Sequence, residues 1–384
     1  MKKCLVLSTF AVLALSCSDY AGPDNVPAEP YSPEISLQSV AKMLSELPLG
    51  REQLNEVHDA AVASASNGYD EEYLMKDVFE APGCGVGDDA QTRAAAIKSY
   101  SCPLRDLITE YLQNSRGGGS KAGIGNADDY IRALTESGYQ LYFPYSDQWD
   151  GKSFPIITFD PGYGAESNYG YEIKLTEEGL RVVDSVYVDE NVAMTRPVWV
   201  VNNNDDSAFT PLDLYAKSRS GLSETKSGTR KLMLTSFKML RQYDSWFGGA
   251  SEFCFKCGGV EGFKASTEAE LKLYSPSVTD FMIVIKRRDK GKQVPVNAIM
   301  MTDFTNQMDK IAFLVTEDDG GTVTSWKCAA TVKVESKSYG FDLDLPYRDK
   351  DDIVWRGQLT ADYLREEDVV SGRFGDVEIS FALE

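Results

Sequence analysis

The chain has 384 residues, 42% of them hydrophobic and 11% aromatic, and a formal charge of −20 at neutral pH. That length predicts two or three domains with apolar mass enough for real cores, which excludes a globally disordered chain. Nucleic acid is excluded as a partner, because the acidic excess leaves no cationic footprint to displace phosphate counterions.

Lys2 and Lys3 precede an apolar run from Leu5 to Leu15. The run is shorter than the roughly 20 residues a membrane span needs, so 1–16 reads as a signal peptide. It ends in Ala14-Leu15-Ser16-Cys17, followed by Ser18 and Asp19. These residues resemble the lipobox and surface-export signal of Bacteroidetes-type surface lipoproteins, with alanine at 14 where leucine is commonest. The resemblance implies cleavage before Cys17, a lipid anchor on its thiol, an acylated amine (palmitate being a common chain) and residence at the outer membrane, facing outward. Residues 17–34, with Pro23, Pro27, Pro30 and Pro33 among small and acidic residues, are then the lipidated tether.

Residues 35–135 are predicted as a helical region. Leu37, Val40, Leu44 and Leu47 recur at helical spacing up to Pro48, and Leu54, Val57 and Ala61 form a second stripe. Ser101-Cys102-Pro103 is expected to cap and open a further helix through Leu112. The glycine-rich stretch 115–126 reads as a mobile loop. Its Gly-Ser-Lys order lacks the strand and the Gly-Lys-Ser/Thr ending of a phosphate-binding loop.

From Tyr139 the texture changes to short β-branched and aromatic runs bounded by Gly, Pro, Asn and Asp, which predicts a β-rich middle domain over 136–245. Residues 246–384 follow as a C-terminal antiparallel β-sandwich. Its strand candidates are 251–257, 270–275, 279–287, 294–302, 310–316, 325–335, 339–345, 353–359 and 375–383. Arg287 to Gln293 reads as a hairpin turn around Gly291. The fold class is therefore α+β: a helical N-terminal region followed by β-rich domains.

The chemistry-bearing residues are few. His58 is the sole histidine, on a predicted helix with no ligand spacing around it, which argues against a Ser-His-Asp triad or a catalytic zinc. Cys84 and Cys102 flank a loop and a helix start and are the expected disulfide of an exported chain. The pair in "CFKCGG", Cys254 and Cys257, is half a zinc knuckle without its other half, and on a strand the two point to opposite faces.

Calcium is the one cofactor the residues suggest. Asp318 and Asp319 in "TEDDGG", and Asp349, Asp351 and Asp352 in "YRDKDDIVWRG", are candidate oxygen ligands if the two loops meet at one end of the sandwich. The second motif resembles the aspartate-rich loop of C2 domains over about a dozen residues. Solvated acidic turns are the competing account, and Asp342 and Asp344, alternating with Leu343 and Leu345, read as a polar strand face. Five tryptophans and 20 tyrosines offer material for a sugar-stacking platform, although most belong to cores. The function expected is non-enzymatic binding or adhesion at the cell surface, with a glycan or protein ligand. A carboxylate-dependent hydrolase such as a glycosidase and a structural envelope component are the alternatives, and no residue identifies a catalytic step.

Overall fold

A computed structural model of the chain describes residues 35–80, 100–114, 126–175, 181–204, 209–219 and 230–384. Cys17, the tether, Cys84 and nearly all of the glycine-rich stretch lie outside the described residues. The fold is α+β, with N-terminal helices followed by antiparallel sheets.

The first unit begins with α1 (Leu37–Glu46) and α2 (Arg51–Ser66). Ser36 caps α1 reciprocally: its hydroxyl accepts from the Ser39 amide at 3.1 Å, while its own amide donates to Ser39 Oγ at 2.9 Å. Leu47 ends the helix in extended backbone, the conformation that a following Pro48 imposes. Then come β1 (Glu72–Leu74), α3 (Met75–Phe79), α4 (Leu104–Asn114), α5 (Ala127–Glu136), β2 (Tyr139–Tyr142), β3 (Ile156–Phe159), β4 (Ser167–Leu175), β5 (Arg181–Asp189), α6 (Glu190–Ala193) and β6 (Val198–Asn203). Ser101 does not cap α4. Its hydroxyl donates to Glu52, and the Cys102 and Leu104 amides donate to Glu52 and Glu56, so carboxylates of α2 take the role expected of the serine.

The strands form a six-stranded sheet, β1-β2-β6-β3-β4-β5, in which only β3 and β6 run parallel. One core runs from Val40, Leu44 and Val57 through Ile108 and Leu134 to Ile157, Trp199 and Val201. The helical region and the middle strands thus share a core, and 135/136 separates no hydrophobic clusters.

The second unit contains α7 (Leu212–Arg219), β7 (Arg230–Met239), β8 (Ser251–Gly259), β9 (Ser277–Ile285), β10 (Val294–Phe304), β11 (Met308–Glu317), β12 (Val323–Val334), β13 (Lys337–Arg348), β14 (Asp352–Thr360), α8 (Ala361–Arg365), β15 (Val369–Phe374) and β16 (Val377–Leu383). One sheet is ordered β10-β7-β16-β15; the other is β13-β12-β11-β8-β9, with β14 also paired to β11. Phe237 meets Phe253 and Phe313 meets Phe381 at ring-centroid distances of 4.9 and 5.3 Å, which closes the two sheets over one core. β7 belongs to this core, so the second unit starts ahead of residue 246.

Two sequence expectations change here. Residues 270–275 are largely a 3-10 turn (Glu268–Leu273), because Glu270 folds back to accept from the Ser266 amide and the Thr267 hydroxyl. The segment around Gly291 is no hairpin: β9 and β10 lie in opposite sheets, and 286–293 carries the chain from one to the other. Its first three residues, all basic, face the first unit. Lys286 pairs with Glu71 at 3.0 Å, Arg287 with Glu190 at 3.1 Å and Arg288 with Asp147 at 2.8 Å. Beside them the Ala250 amide donates to buried Asp70 at 2.9 Å, and Asn202 donates to the Phe247 and Gly248 carbonyls. Gly249 has φ +123°, and a Cβ there would stand 2.6 Å from Asp70 Oδ2, so only glycine lets the junction close.

Arg287 is the centre of this latch, since it also donates to the Asp244 carbonyl at 2.5 Å. Arg287→Ala is expected to cost about 1.5–3 kcal/mol, the range for hydrogen bonds to charged groups. Calorimetry should show one unfolding transition separating into two as the units uncouple. An unchanged single transition would place the coupling elsewhere in the junction.

Candidate metal centre

At one end of the sandwich the chain gathers carboxylates from four segments. Asp244 lies in the crossing between β7 and β8, Glu252 sits on β8, Glu317 ends β11, and Asp351 precedes β14. Asp244, Glu252 and Glu317 each offer an oxygen, and the three oxygens lie within 4.8 Å of one another. Calcium binds oxygen at about 2.3–2.6 Å, so ligands on opposite sides of one ion stand about 4.6–5.2 Å apart, and this triad fits inside that span.

The expected loops do meet. The Asp319 amide reaches Asp351 Oδ1 at 3.4 Å, the Asp318 amide donates to the Glu252 carbonyl at 3.1 Å, and the register sets Glu317 opposite Asp352. Burial separates ligand candidates from surface charge. Glu317 is 0% exposed, Asp318 1%, Glu252 7% and Asp351 7%, whereas Asp319 is exposed. Taking a carboxylate out of water is costly unless a cation or several donors compensate.

The titration follows from the crowding of these acids, which reaches exposed Asp319 as well as its buried neighbours. Desolvation, reinforced by Asp244, Asp352, Asp351 and Asp318, pushes Asp319 up to about 6. Desolvation also pushes Asp351 up to about 6, against the lowering effect of the Arg348 amide that donates to it at 2.8 Å. Asp244 is raised by burial as well, and its Oδ2 is buried with no hydrogen-bond partner among the described residues. These directions are those of anionic oxygens assembled without enough positive charge.

Asp349, one of the expected ligands, has another task. Its carboxylate accepts from the Thr322 amide and hydroxyl, both at 2.8 Å, which holds it below its usual range and makes it a turn cap. Gly321 lies against it with φ +102°, where a Cβ would stand 2.2 Å from Asp349 Oδ1. Asp342 and Asp344 are exposed on β13 between buried Leu343 and Leu345, as the alternation predicts. Asp244 and Glu252 were not legible as ligands. The one sign of Glu252 is an acid at the head of the apolar strand "SEFCFKC".

Lys256, also on β8, is 0% exposed, and its Nζ lies 3.5 Å from the centroid of the Phe209 ring with no hydrogen-bond partner among the described residues. Desolvation lowers its pKa, partly opposed by Cys254, Asp280, Asp351 and Asp318.

The other singled-out residues are structural. His58 packs against Trp149 and Phe143, with ring centroids 5.1 and 6.3 Å apart. Cys257 is in the sandwich core; among the described residues Cys254, Cys257 and Cys328 form no disulfide with one another, and Cys102 is exposed. Trp199 and Trp246 are buried and Trp355 stacks on Phe313, while Trp149 and Trp326 are half-buried. In the cleft between the two units, Glu71 and Glu190 are held by Lys286 and Arg287. No described helix is long and apolar enough to cross a membrane. No family model matches the chain, and neither curated proteins nor solved structures give a match.

Proposed function

We propose that the chain is an exported surface lipoprotein, anchored through Cys17, that binds a glycan or protein ligand without catalysis and holds a calcium ion at the end of its sandwich. One observation carries the calcium part: Asp244, Glu252 and Glu317 bring carboxylate oxygens within 4.8 Å of one another, with buried Asp318 and Asp351 in the adjoining turns. Calcium takes six to eight oxygens, and carboxylates from separate loops are the usual way a sandwich end supplies them. The ion offsets the charge that burial leaves uncompensated and clamps the 318–322 turn to the 349–352 turn.

The nest favours binding over hydrolysis. Its acids converge on one point, whereas a glycosidase holds two carboxylates across an open cleft, about 5–9.5 Å apart. The leader residues before Cys17 support the anchor and the outward location.

Calorimetric titration of chelator-treated protein tests the ion. Calcium is expected to bind with a stoichiometry of one and magnesium far more weakly, because magnesium demands a tighter octahedron and gives up water reluctantly. Glu317→Gln and Asp351→Asn should each weaken binding by at least about tenfold, or 1.4 kcal/mol. Equal heats in all three proteins would remove calcium from the reading. Loss of fatty-acid labelling in Cys17→Ala tests the anchor separately.

A further inference from the structure

The first unit ends in an unguarded sheet edge. Among the described residues β5 is the outer strand and pairs only with β4, over nine residues in unbroken register. Its sequence, RVVDSVYVD, contains no lysine, proline or glycine, and Val182, Val183 and Tyr187 are 40%, 37% and 51% exposed. Exposed β-branched edges template further strands, and proteins normally block them. Three other edges are blocked. β10 carries Pro295 and register shifts, β13 carries Pro346 with outward Asp342 and Asp344, and the Thr210-Pro211 segment lies along β9, where the Met282 amide donates to the Thr210 carbonyl.

Arg181 adds an independent observation. Its Nη2 donates to the Ser45 carbonyl at 2.8 Å, but its Nε is buried without a partner, and among the described residues it forms no ion pair. Among the described residues, no carboxylate pairs with this half-buried guanidinium at the strand end. At the other end of the strand Asp189 caps α6 through Oδ1, while Oδ2 receives only a long 3.4 Å contact from Asn191.

We propose that β5 pairs antiparallel with β5 of a second copy of this chain about a two-fold axis at Ser185. The strand is self-complementary in that register. Arg181 then faces the partner's Asp189, Val182 the partner's Val188, Val183 the partner's Tyr187, and Ser185 its own copy. β-Branched, aromatic–aliphatic and opposite-charge pairs are the combinations that stabilise directly opposed positions. Asp184, which meets the partner's Val186, is already neutralised by Lys174 at 3.1 Å. The two six-stranded sheets become one continuous sheet, and both Arg181 side chains gain a carboxylate. The proposal stands apart from the calcium site, which lies in the other unit.

Sedimentation of the purified full-length chain at about 100 μM should give the mass of two copies. Arg181→Asp and Asp189→Arg should each weaken the dimer by at least about tenfold, equivalent to 1.4 kcal/mol. An equimolar mixture of the two variants should restore it, because every pair across that heterodimer is again of opposite charge. Ser185→Cys should cross-link spontaneously to itself, since directly opposed antiparallel residues lie about 4.5–5.5 Å apart at Cα, within disulfide reach. Tyr187→Cys, which does not face its own copy, should not. A single-copy mass for the wild type, or a folded mixture of variants that stays monomeric, overturns the proposal. If Asp189→Arg unfolds through loss of its cap, Ser185→Cys decides alone, and absence of the cross-link overturns it.

Discussion

Calcium at 100 times its dissociation constant is expected to raise the melting temperature of chelator-treated protein by about 5–10 °C at pH 7.5, and by much less at pH 5. The magnitude follows from mass action: such an excess adds about 2.7 kcal/mol, and a domain of this size shifts by about 2–4 °C per kcal/mol. The pH dependence follows from Asp319 and Asp351, whose carboxyls titrate at about 6 in the folded chain. An unfolded aspartate titrates near 3.9. Folding therefore takes up protons between about pH 4 and 6. The stability these groups contribute is fully present below about pH 4 and is lost as pH rises through 6. The calcium-free protein weakens over that window, while calcium gains ligands as the protons leave.

Glu317→Gln separates the ion from the fold. It removes one buried negative charge and keeps the shape, so the variant should melt higher than the wild type without calcium and lose the calcium-dependent shift. Gain of stability together with loss of response is what a metal ligand predicts. A structural carboxylate would give loss of stability alone. A wild type that melts at one temperature with and without calcium contradicts the site.

How far the sequence reached can be followed residue by residue. The stripes of α1 and α2 and the alternation of β13 were legible because each element has one wet and one dry face, so its period shows. β8 shows no such period, being buried along its whole length, so nothing in its pattern marks Glu252 or Lys256 as buried charges. Their burial follows from β11 and β9 flanking β8, a matter of topology that composition does not encode. Asp318 and Asp351 were legible as a cluster through local acid density. Asp349 belonged to the same density, but its Thr322 partner is 27 residues away, so its capping role stayed hidden. Arg287 read as part of a solvated turn because Glu190, its partner, is 97 residues distant. Local capping also defeated alternation at 268–273, where one glutamate back-bonds its own turn.

Lys256→Met is expected to raise the stability of the sandwich at neutral pH by about 1–3 kcal/mol, the mutational cost of burying an uncompensated polar group. The ammonium has no hydrogen-bond acceptor among the described residues, and the face of Phe209 returns only part of the lost hydration. Methionine keeps the length and flexibility of the stem and fills the same space without the charge. The sign of the pH dependence identifies the cause. The folded-state pKa of Lys256 is depressed, so the unfolded chain binds more protons in the interval below the ordinary lysine value of about 10.4. Wild-type stability should therefore climb as pH rises through that interval, and the climb should be absent in Lys256→Met. Because Lys256 is coupled electrostatically to Asp318 and Asp351, the same change should also tighten calcium. A variant that is less stable at neutral pH and binds calcium no better would mean that the ammonium is the counter-charge the nest depends on, and would transfer to Lys256 the role assigned here to the ion.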